Sequence, residues 1–448
     1  MSRFLLILFF LIATFSANAA SAPKTTEYQL KNGLKILVRE DHRAPVVFTS
    51  VWYKVGSSYE QNGTTGISHV LEHMMFRGTK DYSAGKYIKI MNENGGEQNA
   101  MTTNDFTMYY QMIPANKLAV SFELEADRMH NLLLNESDYN KEIQVVMEER
   151  RMRFEDSPQN KTWLLLDSAA NLNTPDQHPT IGWKSDLEQM QIQDLRSWYQ
   201  KWYGPNNAVV VVVGDVKPQQ VLQLAEQYFG HLAPLNIPPL KKFTPEPYIS
   251  TKTLTLRLPA KLPVLMMAYN TPSFKTTQKA WQPYALLLLA DLLGGSDSSR
   301  LSQELVRKKE MAVAVDVDYD PFRLFDSLFA IQAVPAPGHS NHELEAEIFA
   351  QIKKLQQQPV TSAELERIKS EFLASYIYDK DSIMSQGMQL GVIEILGLNW
   401  QMADILINQI KTVTPQQIQE VANTYLQLNR LTIANLIPIK NQNQKEKQ

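Results

Sequence analysis

The sequence predicts an α+β protein of two homologous domains, each an antiparallel-type mixed sheet with helices packed on it. Three observations carry this prediction. Each half opens with strand-like runs: "YQLKNGLKILVRE" and "VVFTSVWYKVG" in the first, "KTLTLRL" and "VLMMAYNTP" in the second. Each half closes on a β-branched run, "NNAVVVVVGD" (206–215) and "RLTIANLIPI" (430–439). Between the halves lies "APLNIPPLKKFTPEP" (233–247), where five prolines and the absence of apolar periodicity read as a linker.

Taken in order, residues 1–19 combine Arg3, an apolar run and the small-residue pattern Ala17-Asn18-Ala19. This reads as a secretory signal cleaved near Ala19. The apolar run is too short to span a bilayer comfortably, so no stable membrane insertion of the mature chain is expected. Asn32-Gly33 supplies a hairpin turn between the first two strands. A helical segment carries His69 and is expected to continue through "SAGKYIKIMNENGG". "NAMTTNDFTMYYQMI" alternates on either side of Thr-Asn-Asp and reads as a hairpin. A charged helix, "ESDYNKEIQVVMEERRMRFED", follows. The second half has its own long helical segment, "WQPYALLLLADLLGGSDSSRLSQELVRKK". The expected division is a signal peptide at 1–19, a metal-binding domain at 20–232, the linker at 233–247, a homologous domain at 248–439, and a polar, disordered tail at 440–448.

Composition narrows the function classes. A chain of 448 residues, 44% hydrophobic and 20% charged, with a net charge of -3, is an ordinary globular protein. Its mixed charges give no reason to expect nucleic acid or an anionic membrane as partner. The absence of cysteine excludes disulfides and a lipid-modified N-terminal Cys. With a short signal and no anchor, the expected location is the bacterial periplasm, with secretion as the alternative.

The chemistry lies in "ISHVLEHMMF" (67–76). On a helix His69 and His73 are i and i+4, so both imidazoles reach one ion. Glu72 lies close to the same face and reaches a water at that ion without being a ligand. The ion lowers the pKa of water and the carboxylate takes the proton, which is hydrolytic zinc chemistry. The order H-x-x-E-H inverts the commoner H-E-x-x-H. A third protein ligand is needed, and "KEIQVVMEERRMRFED" offers Glu142, Glu148 and Glu149. Glu142 and Glu149 share a helix face two turns apart, with Val145 and Val146 expected to pack inward between them. Spacing alone does not choose among the three.

"GISHVLEHMMFRGTKDY", "NENGGEQNAMTTNDFTMYYQMIP" and "EIQVVMEERRMRFEDSP" together resemble the pitrilysin/insulinase family of zinc peptidases. The chain is most similar to its half-length members, the bacterial processing-peptidase-like proteins and the catalytic subunit of mitochondrial processing peptidase. The resemblance runs from about Tyr28 to the last strand and implies a LuxS/processing-peptidase-like fold. It implies one Zn2+ per chain held by His69, His73 and Glu149, with Glu72 as general base. Glu149 is favoured because the family's ligand has a companion glutamate seven residues earlier, here Glu142, a second-shell partner. Glu148 is the fallback.

The resemblance also implies a peptide substrate that adds as a strand along Asn99, Ala100 and Met101. Phe76 lines the pocket after the cleaved bond, or else simply packs in the core. Arg307 stands where the family places an arginine near the substrate carbonyl. The tyrosine that usually follows is replaced by Val313, and Tyr319 lies further on. Half-length members work in pairs, so a homodimer or a heterodimer with a metal-less homologous subunit is expected to complete the site. A non-catalytic, peptide-binding subunit on the same fold is the alternative. Arg300 is expected to cap or pair within its own helix, and His130 to sit on a helix surface.

Overall fold

A computed structural model describes residues 24–439 apart from 173, 241–242, 244–245 and 247. The expected signal segment at 1–19 and the tail at 440–448 lie outside the described residues, as does part of the 233–247 linker.

The chain forms two sheets. The first contains β1 (Thr25–Gln29), β2 (Lys35–Glu40), β3 (Val46–Tyr53), β4 (Glu97–Thr102), β5 (Thr107–Pro114) and β6 (Ala208–Gly214), in the order β1-β2-β6-β3-β5-β4. The second contains β7 (Lys252–Leu258), β8 (Val264–Thr271), β9 (Ala312–Tyr319), β10 (Ser327–Pro335) and β11 (Leu431–Pro438), in the order β7-β11-β8-β10-β9. Set β1 aside and the two sheets have one topology. Each has a single parallel pair, β2 with β6 and β7 with β11, and its other pairs are antiparallel. The expected architecture of two homologous mixed sheets is what the chain adopts.

Local chemistry explains the strands. Gly33, at φ 91°, makes the turn between β1 and β2. β6 is almost all valine because both its faces are buried: Val210 and Val212 join one core, Val209, Val211 and Val213 the other. β4 is an edge strand, paired with β5 alone.

The helices are exchanged between the halves. Helix Pro158–Ala170 precedes the linker, yet its Leu166 packs on the second sheet with Val264, Met266, Ala434 and Leu436. Lys252 of β7 donates to its Ala169 carbonyl at 2.7 Å. Helix Ile383–Ile395 follows the linker, yet its Leu390 and Ile393 pack on the first sheet with Leu37, Trp52 and Val211. Each sheet is thus covered on one face by a helix from the other half.

The expected long helices are interrupted. The first ends at Met74 and a new helix begins at Lys86. Between them Gly78 and Gly85 take φ of 109° and 79°, and Gly78 bridges to Ser83, so the chain turns rather than continuing. In the second half the helix Gln282–Gly294 stops at the Gly294-Gly295 pair, and a π-helical turn, Ser302–Lys308, follows. Among the described residues, no helix is long and apolar enough to cross a membrane.

Candidate metal centre

The helix Ile67–Met74 is placed by its own N-terminus. Gly66, at φ 87°, precedes it, and a Cβ there would come within 2.5 Å of the Ile181 carbonyl oxygen. No side chain caps the helix from the adjacent position. Instead the buried Glu60 accepts from Gly66 N at 2.6 Å and Ser68 N at 2.9 Å. Burial pushes the Glu60 carboxyl up to about 7, against the pull of these bonds. Asp186 fixes the preceding loop by accepting from Gly63 N, Thr65 N and Thr65 Oγ1.

On this helix His69 and His73 face Glu149 of helix Glu136–Arg150. Glu149 Oε2 lies 3.7 Å from His69 Nε2 and 3.4 Å from His73 Nε2, and one ligand atom from each residue lies within 4.8 Å of the others. Two nitrogens and one carboxylate oxygen are a donor set that zinc takes. Metal–ligand bonds of about 2.0–2.2 Å in a tetrahedron put ligand atoms roughly 3.3–3.6 Å apart. The two separations from Glu149 lie close to that range, and the donor chemistry is right, so the residues fit a zinc ion.

Neighbouring groups orient two of the three ligands. Glu142 Oε2 sits 3.3 Å from His73 Nδ1, and Arg77 pairs with the other Glu142 oxygen. With Nδ1 donating to Glu142, His73 keeps its Nε2 lone pair for the ion. Arg153, four residues on from Glu149, holds Glu149 Oε1 at 2.7 Å. His69 Nδ1 is buried without a partner among the described residues.

The electrostatics keep His69 and Glu149 in their ligating forms, whereas an ion at His73 must displace a proton. Burial, then the neighbouring His73, pushes the His69 imidazole down to about 4, so it is neutral near pH 7. Its bond to His73 holds Glu149 below the usual carboxylate range, outweighing its burial. Burial pulls His73 down, but Glu149 and the charges of Glu72 and Glu142 win and raise it. Burial raises the Glu72 carboxyl, and a hydrogen bond donated by Thr102 Oγ1 to Glu72 Oε2 partly offsets it.

The structure separates the residues proposed from sequence. His69, His73, Glu149, Glu142 and Glu72 come together. Glu148 turns to solvent and pairs with Arg151 at 2.7 and 2.9 Å. Val146 packs inward as expected, but Val145 is 47% exposed, because it lies on the helix face turned from the core. Asn99, Ala100 and Met101 lie on β4, and Ala100 N–H donates to Asn99 Oδ1 at 2.8 Å. Phe76 packs on the metal side of the sheet, its ring near those of Tyr87 and Tyr109 and beside the buried Arg128 guanidinium. Arg307 pairs with Asp297 at 3.0 Å, both exposed, and bonds to none of the metal-site groups among the described residues. Val313 is 55% exposed, whereas Tyr319 is buried and donates to the Pro272 carbonyl. Arg300 does not pair within its own segment. It makes two bonds to Glu364 on helix Ser362–Asp379, 2.8 and 2.7 Å long, since that carboxylate is within its reach. His130 is exposed at its helix end.

Sequence reasoning missed Thr102, Arg153, Arg77 and Glu60. Strand alternation puts Thr102 on the face of Ala100, and Arg153 is i+4 from Glu149, so two of the four carried a readable signal.

The insulinase (peptidase family M16) profile matches residues 35–183, and the peptidase M16 inactive domain profile matches 189–372. The zinc protease PqqE of Helicobacter pylori is 32% identical over 93% of each chain. The chain belongs to the insulinase family, peptidase family M16. An uncharacterized zinc protease, YmxG of Bacillus subtilis, is 26% identical over 88% of this chain and 94% of its own. Among solved structures, a protease from Helicobacter pylori superposes with a TM-score of 0.87 at 31% identity, over 93% of this chain and 100% of that one. The periplasmic protease PqqL of Escherichia coli shares the fold alone: TM-score 0.77 at 17% identity, over 95% of this chain and 48% of that one. This M16 chain therefore has the length of the half-length relatives it matches.

Proposed function

We propose that this chain is a zinc-dependent endopeptidase that hydrolyses extended peptides or unfolded segments in the periplasm. One observation carries the reading: His69, His73 and Glu149 meet within 4.8 Å, with Glu72 on the same helix and the open edge of β4 beside it. Zinc held by these three residues supplies a Lewis acid that acidifies water and polarises a carbonyl. Glu72, oriented by Thr102, takes the proton of the attacking water and delivers it to the departing amine. β4 is paired on one side only, so its outer edge accepts a substrate strand around Asn99, Ala100 and Met101 once Asn99 Oδ1 gives up the Ala100 N–H, and only an extended chain can use that edge. Phe76 faces the substrate from the metal side.

The location rests on the signal-like 1–19 segment and the description of PqqL as periplasmic, and secretion is the alternative. Val313 stands exposed where the family often has tyrosine, and Arg307 is engaged with Asp297. These two observations favour a second reading, a partner-dependent subunit. In it a second copy, or a homologous metal-less subunit, supplies the contacts to the substrate carbonyl.

The test is cleavage of a quenched peptide by the purified chain, wild type beside Glu72→Gln, with zinc measured in both. Zinc in both and cleavage only by wild type is the expected result. Zinc in both and cleavage by neither moves the assignment to the partner-dependent reading. No zinc in either rejects the metal centre.

A further inference from the structure

The free edge of β4 borders a second feature, on the face of the sheet away from the metal. Side chains along β4 alternate. Ala100 packs with the core under the metal helix and Thr102 reaches Glu72. Met101 points the other way, toward helix Ile383–Ile395. There it lines a cleft of about 420 Å³ with Phe106, Phe322, Met388 and Val392. Apart from the buried Phe106, these side chains are only half-buried, so apolar surface is left uncovered.

We propose that this cleft is a specificity pocket that takes one large apolar side chain of a peptide paired along β4. The inference rests on the endopeptidase reading above. A strand added to β4 pleats in step with it, so the substrate residue opposite Met101 projects to Met101's side. That side chain meets the apolar wall of helix Ile383–Ile395, and its neighbours in the strand face the metal and Phe76. Arg323, the cationic group at the end of the cleft, already faces carboxylates, and the remaining charge there is acidic. Arg323 lies 3.3 Å from Asp105 and 3.2 Å from Asp176, and Asp320 accepts from Phe322 N at 2.9 Å. An acidic side chain entering the cleft meets Asp105 and Asp320, gains no new partner and loses its water. Methionines at 101 and 388 adapt to leucine, methionine or phenylalanine alike, so the pocket selects size and apolarity rather than one residue.

The pocket is built by both halves of the chain, since Met101 and Phe106 precede the linker while Phe322, Met388 and Val392 follow it. Selectivity at this position is thus a consequence of the helix exchange. The pleat adds a second constraint: the substrate position read by this cleft and the position read by Phe76 lie an odd number of steps apart along the strand.

The test uses the full chain as Glu72→Gln, loaded with zinc, and fluorescein-labelled extended peptides varied one position at a time between Leu, Trp, Ala and Asp. Fluorescence anisotropy is expected to find one position where Leu binds roughly 10–100-fold tighter than Ala, with Asp weaker still. Adding Val392→Trp, which fills the cleft, is expected to abolish that difference. Adding Met388→Ala, which enlarges it, moves the preference toward Trp and provides the reading if the filled variant does not fold. Peptides that bind with the same side-chain preference in all three proteins overturn the pocket while leaving the endopeptidase reading intact. Peptides that bind to none of them overturn both, and the two failures are told apart by whether binding itself is seen.

Discussion

Thr102 Oγ1 donates a hydrogen bond to Glu72 Oε2, linking the edge strand proposed to receive substrate to the carboxylate proposed as base. The two residues are thirty positions apart and sit on different elements, β4 and the metal helix. A strand that shifts on pairing with peptide therefore moves a group bonded to the base. The bond also selects one carboxylate rotamer and leaves the other oxygen for the water.

Thr102→Val removes that bond with little change of shape. A hydrogen bond to a charged group contributes about 1.5–3 kcal/mol, so kcat is expected to fall roughly 10–100-fold. Zinc content and KM are expected to change little, and Thr102→Ser to restore most of kcat. Steady-state kinetics on a quenched peptide with zinc quantification check this, and an unchanged kcat in the valine variant removes Thr102 from the mechanism.

Glu142 is buried and holds both His73 Nδ1 and Arg77. Glu142→Gln keeps the shape but weakens the acceptor that fixes the His73 tautomer. Zinc affinity is expected to drop about 10–100-fold, the usual effect of losing such an outer-shell partner. Competition against a fluorescent chelator measures it. Equal affinity in the two proteins means that His73 is oriented by packing alone.

The site was more legible in the sequence than its supports were. His69, Glu72 and His73 follow from helical spacing, which is local. Glu149 was separable from Glu148 only through the family's companion glutamate, because adjacent positions on an exposed, Glu-rich helix have the same composition. The structure adds the reason: Glu148 is taken by Arg151 and Glu149 by Arg153 and the histidines. Arg307 carried a motif match but lies against Asp297, since a position in a motif does not specify which way a long side chain turns. The duplicated sheet order was readable as paired strand runs. The helix exchange was not, because apolar periodicity says that a face is buried without saying against what.

Glu60 predicts how stability varies with pH. Its folded pKa of about 7 lies above the unfolded value of 4.5. Between those values the folded chain binds more protons than the unfolded chain, so stability is fully present below pH 4.5 and falls as pH rises through 7. The contribution is about 3 kcal/mol over the window. Urea unfolding of wild type and Glu60→Gln at pH 5 and pH 8 is expected to show a smaller loss in the variant. Parallel losses in the two proteins assign the pH dependence to other groups.

Arg323, from the loop between β9 and β10, joins the two halves. It reaches Asp105 in the β4–β5 turn and Asp176; the Ser58 hydroxyl donates to Asp176 at 2.6 Å and lies 3.3 Å from Asp105. Asp105 and Asp176 are buried, so Arg323→Met strands two carboxylates with fewer partners. A destabilisation of about 3–5 kcal/mol is expected from urea unfolding. Adding Asp105→Asn and Asp176→Asn is expected to recover part of it. A loss below 1 kcal/mol in the single variant means that Ser58 and water suffice.

The exchanged helices make a claim about cooperativity. If each half carried all of its own cover, the two sheets could unfold separately. Here helix Ile383–Ile395 covers the first sheet and helix Pro158–Ala170 the second, so neither sheet stays buried when the other half unfolds. One calorimetric transition is expected, with equal van't Hoff and calorimetric enthalpies. Gly391 lies against Trp52, where a Cβ would come within 2.1 Å of the buried indole, and Gly387 against Phe48 at 2.2 Å. Gly391→Ala is therefore expected to destabilise by about 1–3 kcal/mol through overpacking, despite alanine's better helix propensity. Its effect is expected to lower the whole transition rather than split it. Two resolved transitions in wild type, or a variant that melts one half early, contradict the interlock and return the halves to independent domains.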